Sequence, residues 1–153
     1  MKKIVIIGTG NVGSHIVSAS IYRKFSAEFI LVDLCEEYER AQYLDLKDTL
    51  PFSQKVKISR GDLGDKKVSD GDIFIITAGA KQKEGQSRLD LLDENTKILK
   101  DISEKLGDIK KTALVILVTN PVDLLVQRAQ EIFDLNSRQI FGTGTLLDSA
   151  RLK

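Results

Sequence analysis

Short runs of consecutive apolar residues recur along the chain, separated by longer stretches whose apolar residues follow helical spacing. Runs of this length indicate strands buried on both faces, as in a parallel sheet. Strong runs cover residues 4–8, 29–33, 72–78 and 113–119, and weaker ones cover 56–59 and 140–142. Helices are predicted over residues 11–25, 36–50, 87–106 and 122–134. The alternation predicts an α/β protein with a Rossmann-type, doubly wound, six-stranded parallel sheet in the order 3-2-1-4-5-6.

Composition narrows the class of protein but not its activity. The chain has 153 residues, enough for one domain, with 42% hydrophobic and 29% charged residues, as in ordinary globular proteins. A net charge of +1 gives no indication of a nucleic acid or a membrane surface as partner. The apolar run before Gly8 is too short for a signal peptide or a membrane span. Because the single cysteine, Cys35, cannot form an internal disulfide, we expect a cytoplasmic protein.

A glycine motif lies between the first predicted strand and the first predicted helix. The segment GTGNVGS places glycines at 8, 10 and 13, and an acidic residue, Asp33, follows 20 residues after Gly13. In dinucleotide-binding folds the first glycine allows a tight turn, the second lets the pyrophosphate approach the backbone, and the third lets the helix pack against the strand. The N-terminus of the helix supplies N–H donors for phosphate. The alternative is a glycine turn without a ligand.

Asp33 indicates which dinucleotide would bind. At the end of the second strand its carboxylate can accept hydrogen bonds from the adenosine ribose hydroxyls and would repel a 2′-phosphate. The next four residues, 34–37, include no arginine to hold such a phosphate. NAD is therefore the predicted cofactor rather than NADP, and no metal site is predicted.

Six motifs in order resemble those of one enzyme family. They are GTGNVGS, YLDLKDTLPF, TAGAKQKEGQSRLDL, NTKI, VTNPVDLL and GTGTLLDSAR. Together, and over essentially the whole chain, they closely resemble the lactate/malate dehydrogenase family. The resemblance implies an NAD-dependent L-2-hydroxyacid dehydrogenase that acts on a small 2-oxo or 2-hydroxy acid and forms a homodimer or homotetramer. The cofactor-binding residues that it implies are Gly8, Gly10, Asn11, Val12, Gly13, Asp33, Thr77, Ala78, Gly79, Ala80, Val118 and Asn120.

The resemblance also implies which residues would contact the substrate. Arg88 would polarise the substrate carbonyl, since a guanidinium stabilises a developing alkoxide, and the preceding loop, residues 79–87, would close as a lid. Asn120 would bond the substrate oxygen near the nicotinamide. From the residues alone, the loop could equally be a solvated surface segment, and Asn120-Pro121 could be a turn pair.

Asp148 and Arg151 share one face of a predicted helix because they are three residues apart. The resemblance implies that Arg151 grips the substrate carboxylate in a two-pronged pair, and that Asp148 orients a catalytic histidine. Two structural alternatives exist. Thr145 and Asp148 could cap the helix, or Asp148 and Arg151 could form a surface ion pair.

Gln82 occupies the position at which this family discriminates its substrates. Malate dehydrogenases carry an arginine there, whereas lactate dehydrogenases typically carry glutamine. A neutral amide favours a monocarboxylate such as pyruvate. Lys81 and Lys83 flank it, so a shift of one residue in the loop would instead present a cation to the substrate.

The catalytic histidine of the family has no counterpart in this sequence. The only histidine, His15, is expected in the first turn of the first helix, beside the phosphates. We therefore expect the NAD-binding half of such an enzyme, inactive alone, with residues 1–142 as the Rossmann domain and 143–153 as the start of a helix leading to a substrate domain. L-lactate dehydrogenase is the first hypothesis. The alternatives are an L-2-hydroxyisocaproate dehydrogenase, a malate dehydrogenase, or a non-catalytic NAD-binding module.

Overall fold

The computed structural model describes residues 1–52, 55–81 and 85–153. Its strands are β1 (Lys2–Ile7), β2 (Ala27–Val32), β3 (Val56–Arg60), β4 (Ile73–Ile76), β5 (Leu114–Leu117) and β6 (Ile140–Gly142). Its α-helices are α1 (Asn11–Tyr22), α2 (Glu36–Asp48), α3 (Lys66–Ser69), α4 (Arg88–Leu106), α5 (Val122–Ile132) and α6 (Leu146–Arg151). Short 3₁₀ turns cover Leu50–Phe52 and Ser137–Gln139.

All strand pairs of the sheet are parallel, and their order is β3-β2-β1-β4-β5-β6. The N-terminal strand therefore lies in the interior of the sheet, where Ile4 pairs with Phe29 on one side and with Ile73 on the other. The change in winding direction falls between β1 and β4, and ligands of such sheets bind at the carboxyl ends of the strands at this point. The predicted fold class and strand order are confirmed.

The two faces of the sheet are covered by different helices. In β1, Val5 and Ile7 point into a core shared with α4 and α5, whereas Ile4 and Ile6 point into a core shared with α1 and α2. Successive strand residues face opposite sides, so an apolar run supplies both cores at once. This arrangement explains why the strands are continuously hydrophobic rather than alternating.

The structure differs from the sequence prediction mainly at the ends of elements. Helix α1 ends at Tyr22 rather than at residue 25, and the chain turns at Lys24, which has φ +54°. Helix α5 ends at Ile132 instead of residue 134, and β4 and β5 are shorter than their apolar runs. Apolar residues beyond the end of a strand still pack against the core, so an apolar run extends further along the chain than the hydrogen-bonded strand. The four-residue helix α3 was not predicted.

Within the described residues, no helix is both long enough and apolar enough to span a membrane.

Candidate functional site

A cleft of about 1110 Å³ lies at the carboxyl ends of β1 to β4, with one wall formed by α4. It brings together most of the residues that were predicted to bind the adenosine and pyrophosphate of a dinucleotide. Predicted residues that line it are Gly8, Gly10, Asn11, Asp33, Thr77, Ala78 and Gly79. Its size exceeds the usual range for small ligands, as an extended dinucleotide requires.

The three glycines of the turn after β1 have different surroundings. Gly8 has φ +97°, and a Cβ there would lie 2.5 Å from the Ala78 nitrogen. A Cβ at Gly13 would lie 2.0 Å from the Gly8 carbonyl oxygen, so the start of α1 packs directly on the turn. A Cβ at Gly10 would meet no described atom within 4 Å, because this position faces the cleft. Gly8 and Gly13 therefore serve the fold, whereas Gly10 leaves space in which a phosphate can approach the backbone.

The N-terminus of α1 gives this end of the cleft a positive potential. Asn11 begins the helix and lines the cleft, and the first turn, residues 11–14, contains no acidic side chain to offset the N–H groups. Val12 is exposed in the same turn, and Gly13 is buried beneath it. This environment suits the two negative charges of a pyrophosphate.

Asp33 is anchored to the glycine turn by Thr9. The Asp33 Oδ2 atom accepts hydrogen bonds from the Thr9 backbone N–H at 2.6 Å and from its hydroxyl at 3.0 Å. Oδ1 accepts the Cys35 N–H at 3.1 Å, which leaves part of its acceptor capacity for a ligand hydroxyl. Thr9 is fully buried, so the carboxylate is held in one orientation at the edge of the cleft.

An arginine that sequence reasoning did not consider lies beside the N-terminal half of α2. Arg60, at the end of β3, donates from Nε to Glu39 Oε2 at 2.6 Å, and its Nη2 lies 2.6 Å from the same oxygen and 3.6 Å from Glu36 Oε1. The hydrogen bond to Glu39 is the main cause that raises the pKa of Arg60. Because two carboxylates already neutralise this guanidinium, Arg60 is poorly suited to hold a 2′-phosphate.

Thr77 and Ala78 join β4 to the glycine turn. The Thr77 hydroxyl donates to the Gly8 carbonyl at 2.6 Å, and the backbone N–H groups of Thr77 and Ala78 both donate to the Ile7 carbonyl at 2.9 Å. The base of the cleft is therefore held rigidly at the point where the winding direction changes.

Ala80, Val118 and Asn120 adjoin the cleft without being part of its lining. Asn95 of α4 connects two of them: its Oδ1 accepts the Ala80 N–H at 2.7 Å, and its Nδ2 donates to the Asn120 carbonyl at 2.8 Å. Val118 extends β5, with its N–H bonded to the Ile76 carbonyl at 3.0 Å.

The two residues of α6 lie apart from the cleft. Arg151 Nη1 is 3.4 Å from Asp148 Oδ1, and their side chains are 69% and 66% exposed. Thr145, which precedes the helix, makes no side-chain capping bond. Of the two structural alternatives, the surface ion pair is therefore present and the capping pair is not.

The substrate residues before α4 are described only in part. Gln82 and the side chain of Arg88 lie outside the described part of the structure. Arg88 is the first residue of α4, and Ser87 precedes it as the N-cap. The Ser87 hydroxyl accepts the Asp90 N–H at 3.1 Å, and the Asp90 carboxylate accepts the Ser87 N–H at 3.1 Å, which fixes where this helix begins. Bonds from the Ser87 hydroxyl and then its N–H lower the pKa of Asp90.

His15 was predicted in the first turn of α1. It lies instead at the start of the second turn. It is exposed, and its Nδ1 lies 2.5 Å from the Asn11 carbonyl oxygen of its own helix. Its position on α1 adds no acid or base to the substrate end that was predicted around Arg88 and Asn120.

Several residues in or beside the cleft were not singled out from the sequence. Thr9 is an unassigned position inside the glycine motif, and Tyr38 and residues 62–64 line the cleft near Asp33. Residues 62–64 directly follow β3, so the rule that ligands bind at the carboxyl ends of strands could have indicated them. One face of α4 also lines the cleft, through Lys97, Ile98, Asp101, Ile102 and Lys105. Nothing local in the sequence distinguishes that face from an ordinary amphipathic helix.

Comparison with known proteins shows the family of the chain. The family model described as lactate/malate dehydrogenase, NAD binding domain, matches residues 2–142. The chain belongs to the lactate/malate dehydrogenase family. The matched region is the NAD-binding domain of this oxidoreductase family, which indicates NAD as the cofactor.

Relatives in the family include L-lactate dehydrogenases from several bacteria. The one from Thermoanaerobacter sp. (strain X514) is 41% identical over 153 residues, which is all of this chain and 49% of that protein. The one from Staphylococcus epidermidis is 37% identical over 99% of this chain and 48% of that protein. The chain thus spans about half the length of the curated relatives that it matches.

Solved structures of both enzyme types share the fold. The minor L-lactate dehydrogenase from Enterococcus mundtii superposes with a TM-score of 0.87 and 33% identity, over 96% of this chain and 46% of that one. Malate dehydrogenase from Plasmodium falciparum gives a TM-score of 0.87 and 31% identity, over 99% of this chain and 48% of that one. The fold therefore does not separate lactate from malate dehydrogenases.

Proposed function

We propose that the chain is the NAD-binding half of an L-lactate dehydrogenase-like oxidoreductase, which reduces pyruvate to L-lactate with NADH. The observation that carries the proposal is the cleft at the carboxyl ends of β1 to β4, in which Gly10, Asp33 and the start of α1 converge. The whole-chain similarity to L-lactate dehydrogenases supports the choice of reaction. The complete enzyme is proposed to be a cytoplasmic homodimer or homotetramer.

In this proposal the cleft holds the dinucleotide at two anchor points. Asp33 accepts the adenosine ribose hydroxyls through the acceptor capacity that Thr9 and Cys35 leave on its carboxylate. The N–H groups at the start of α1 and the open backbone at Gly10 receive the pyrophosphate. When bound, NADH supplies a hydride for the substrate carbonyl carbon. The chain's own contribution is to fix the position of the nicotinamide and to exclude water from it.

At the substrate end, cationic and amide side chains would hold the 2-oxo acid. Arg88 would stabilise charge on the carbonyl oxygen, Asn120 would donate a hydrogen bond to it, and Arg151 would pair with the carboxylate. Gln82, a neutral amide, would leave a second carboxylate unpaired, which favours pyruvate over oxaloacetate. These assignments rest on the match of TAGAKQKEGQSRLDL, VTNPVDLL and GTGTLLDSAR to the family motifs.

Proton transfer requires a group that this sequence lacks. Asp148 would orient a histidine, yet the one histidine of the chain, His15, lies in α1 with its ring against its own helix. Arg88 cannot supply the proton, because a guanidinium stays protonated at any working pH. We therefore propose that residues 1–153 alone bind NAD without catalysing.

A non-catalytic NAD-binding module is the second candidate function. The observation that favours it is the solvent-exposed ion pair of Asp148 and Arg151, which in this chain bind each other rather than lining the cleft. For the proposal of an oxidoreductase, a substrate of the malate or L-2-hydroxyisocaproate type stays an alternative to pyruvate and lactate.

The preference for NAD provides a first test. Titration should show that NADH binds at least about tenfold more tightly than NADPH, a difference of ~1.4 kcal/mol. Asp33→Ser should narrow this gap, because it removes both the acceptor for the ribose and the charge that repels a 2′-phosphate. Thr9→Val is the matched control: it removes the hydroxyl bond to Asp33 but keeps the carboxylate, so the preference should persist. Equal affinities for the two cofactors in the unmodified chain would disprove the assignment.

A second test follows the reaction itself. The 153-residue chain is mixed with NADH and pyruvate, and the absorbance of the reduced nicotinamide is recorded. Loss of general acid–base assistance alone slows such a reaction by ~100- to 10,000-fold. We expect no measurable turnover. A rate of about 1 per second or more, which is ordinary for an enzyme, would show that these residues include a base and that the half-site proposal is wrong.

A further inference from the structure

Asn95 is a buried polar residue of the family motifs whose role the cofactor and substrate assignments leave unexplained. It belongs to the NTKI segment of α4 and is only 2% exposed. Both ends of its amide are engaged, with Oδ1 bonded to the Ala80 N–H and Nδ2 to the Asn120 carbonyl. Burial of such a polar side chain is costly unless its bonds are satisfied, so these two contacts account for its presence in the core.

The two loops that Asn95 joins also pack directly on each other. The loop after β4 contains Ala78 to Ala80, and the loop after β5 contains Thr119 and Asn120. The Thr119 hydroxyl donates to the Ala78 carbonyl at 2.7 Å, and a Cβ at Gly79 would lie 2.3 Å from Thr119 Cγ2. The same Cβ would lie 3.2 Å from Asn95 Oδ1, so the amide is seated against the loop backbone. Asn95 therefore fixes both loops from a single rigid helix.

The chemistry at this position requires an amide. The side chain accepts from one loop and donates to the other at the same time, and the two partners are backbone atoms that cannot exchange roles. A leucine of similar volume satisfies neither. An ionised aspartate keeps the bond from Ala80 but places an acceptor against the Asn120 carbonyl oxygen.

The location of Ala80 and Asn120 beside the cleft indicates what Asn95 controls. Among the lining residues, Asp33, Tyr38 and Gly64 follow β2 and β3, where the adenosine would lie, whereas Gly79 and Lys81 follow β4 on the other side of β1. Ala80 and Asn120 adjoin this second side. We infer that Asn95 is a positioning residue that fixes Ala80 and Asn120 for the nicotinamide. The inference rests on the proposed function, in which this side of the cleft receives the nicotinamide and the substrate.

The test compares two ligands that differ at one end. NADH carries the nicotinamide, and ADP-ribose lacks it but keeps the adenosine and pyrophosphate. Dissociation constants for both are measured on the 153-residue chain and on Asn95→Leu and Asn95→Asp. The control is Thr96→Val, the next residue of α4, whose hydroxyl bonds the Leu92 carbonyl of its own helix. Amide hydrogen exchange at Ala80 without ligand reports the bond to Asn95 independently.

The wild-type chain should bind NADH more tightly than ADP-ribose. Both Asn95 variants should lose about tenfold or more in NADH affinity, because Asn95→Asp loses the bond to Asn120 and Asn95→Leu loses both bonds, while ADP-ribose affinity changes by less than about twofold. Ala80 exchange should accelerate in Asn95→Leu and stay slow in Asn95→Asp, which keeps the acceptor. Thr96→Val should alter neither the affinity ratio nor the exchange.

The outcomes separate this inference from the proposed function. A wild-type chain that binds neither ligand overturns both. A wild-type chain that prefers NADH, with the same preference in Asn95→Leu, overturns the positioning role alone. Equal affinities of the wild-type chain for NADH and ADP-ribose also overturn it, because Ala80 and Asn120 would then not contact the nicotinamide. A loss of both affinities in parallel would show that Asn95 serves only the stability of the fold.

Discussion

Asp33 has a fixed orientation at the edge of the cleft because the backbone and the hydroxyl of Thr9 both donate hydrogen bonds to its carboxylate. A carboxylate at the end of the second strand was predictable from the sequence. The two bonds from Thr9 were not predictable, because they depend on how closely the turn after β1 approaches the end of β2. Spacing along the chain locates a functional group, whereas its hydrogen-bond partners follow from tertiary packing.

The glycines of the turn permit a prediction at the residue scale. Gly10→Ala should change the melting temperature by less than about 2 °C, because the added methyl meets no described atom within 4 Å. It should nevertheless weaken NADH binding about tenfold or more, since the methyl occupies space through which the pyrophosphate approaches.

Gly13→Ala is the matched comparison for Gly10→Ala. Its Cβ would lie 2.0 Å from the Gly8 carbonyl oxygen, so we expect destabilisation of roughly 1–3 kcal/mol, seen in thermal unfolding. If Gly10→Ala bound NADH as tightly as the unmodified chain does, the pyrophosphate would not rest on this turn.

At the scale of elements, Asp72 joins three segments at the amino edge of the sheet. It directly precedes β4, and its Oδ2 accepts the Lys3 N–H of β1 at 2.9 Å. Its Oδ1 accepts from the Lys110 ammonium at 3.0 Å, which attaches the segment between α4 and β5. The Lys3 N–H and then Lys110 lower the pKa of Asp72, against a smaller opposing effect of burial.

This lowered pKa implies a pH-dependent contribution to stability. In the unfolded chain an aspartate titrates near ~3.9. Because the folded pKa is lower, the stabilisation is complete above about pH 5 and is lost as the pH falls through the folded value. Asp72→Asn should therefore lower the melting temperature at pH 7 by roughly 3–6 °C, and the difference from wild type should shrink below about pH 4.

Asp108→Asn, at an exposed position between α4 and Lys110, is the control and should leave the melting temperature unchanged at either pH. A difference between Asp72→Asn and wild type that stayed constant from pH 7 to pH 3 would mean that the charge of Asp72 contributes nothing.

At the scale of the whole molecule, the parallel sheet was predictable because each buried strand reads as an apolar run and four of the five crossovers show helical spacing. Helix α3 was missed because four residues, with Val68 as their only buried side chain, are too few to show a period. For Asp148 and Arg151 the spacing was clear from the sequence, but the role of the pair was not. A three-residue spacing is the same for a catalytic pair and for a solvated ion pair, and only the three-dimensional surroundings distinguish them.

The position of β1 between β2 and β4 has a consequence for the order in which the fold assembles. Pairing with β2 closes a short stretch of chain, but the contact of Lys3 with Asp72 joins residues 69 apart. Long-range contacts of this kind form late, because loop-closure entropy must be overcome first. The cleft lies across this region of late contacts, which Asp72 joins at the amino edge of the sheet and Thr77 at the carboxyl edge. The ability to bind NADH should therefore emerge only when the two halves of the sheet have docked, so cofactor binding reports the completion of folding.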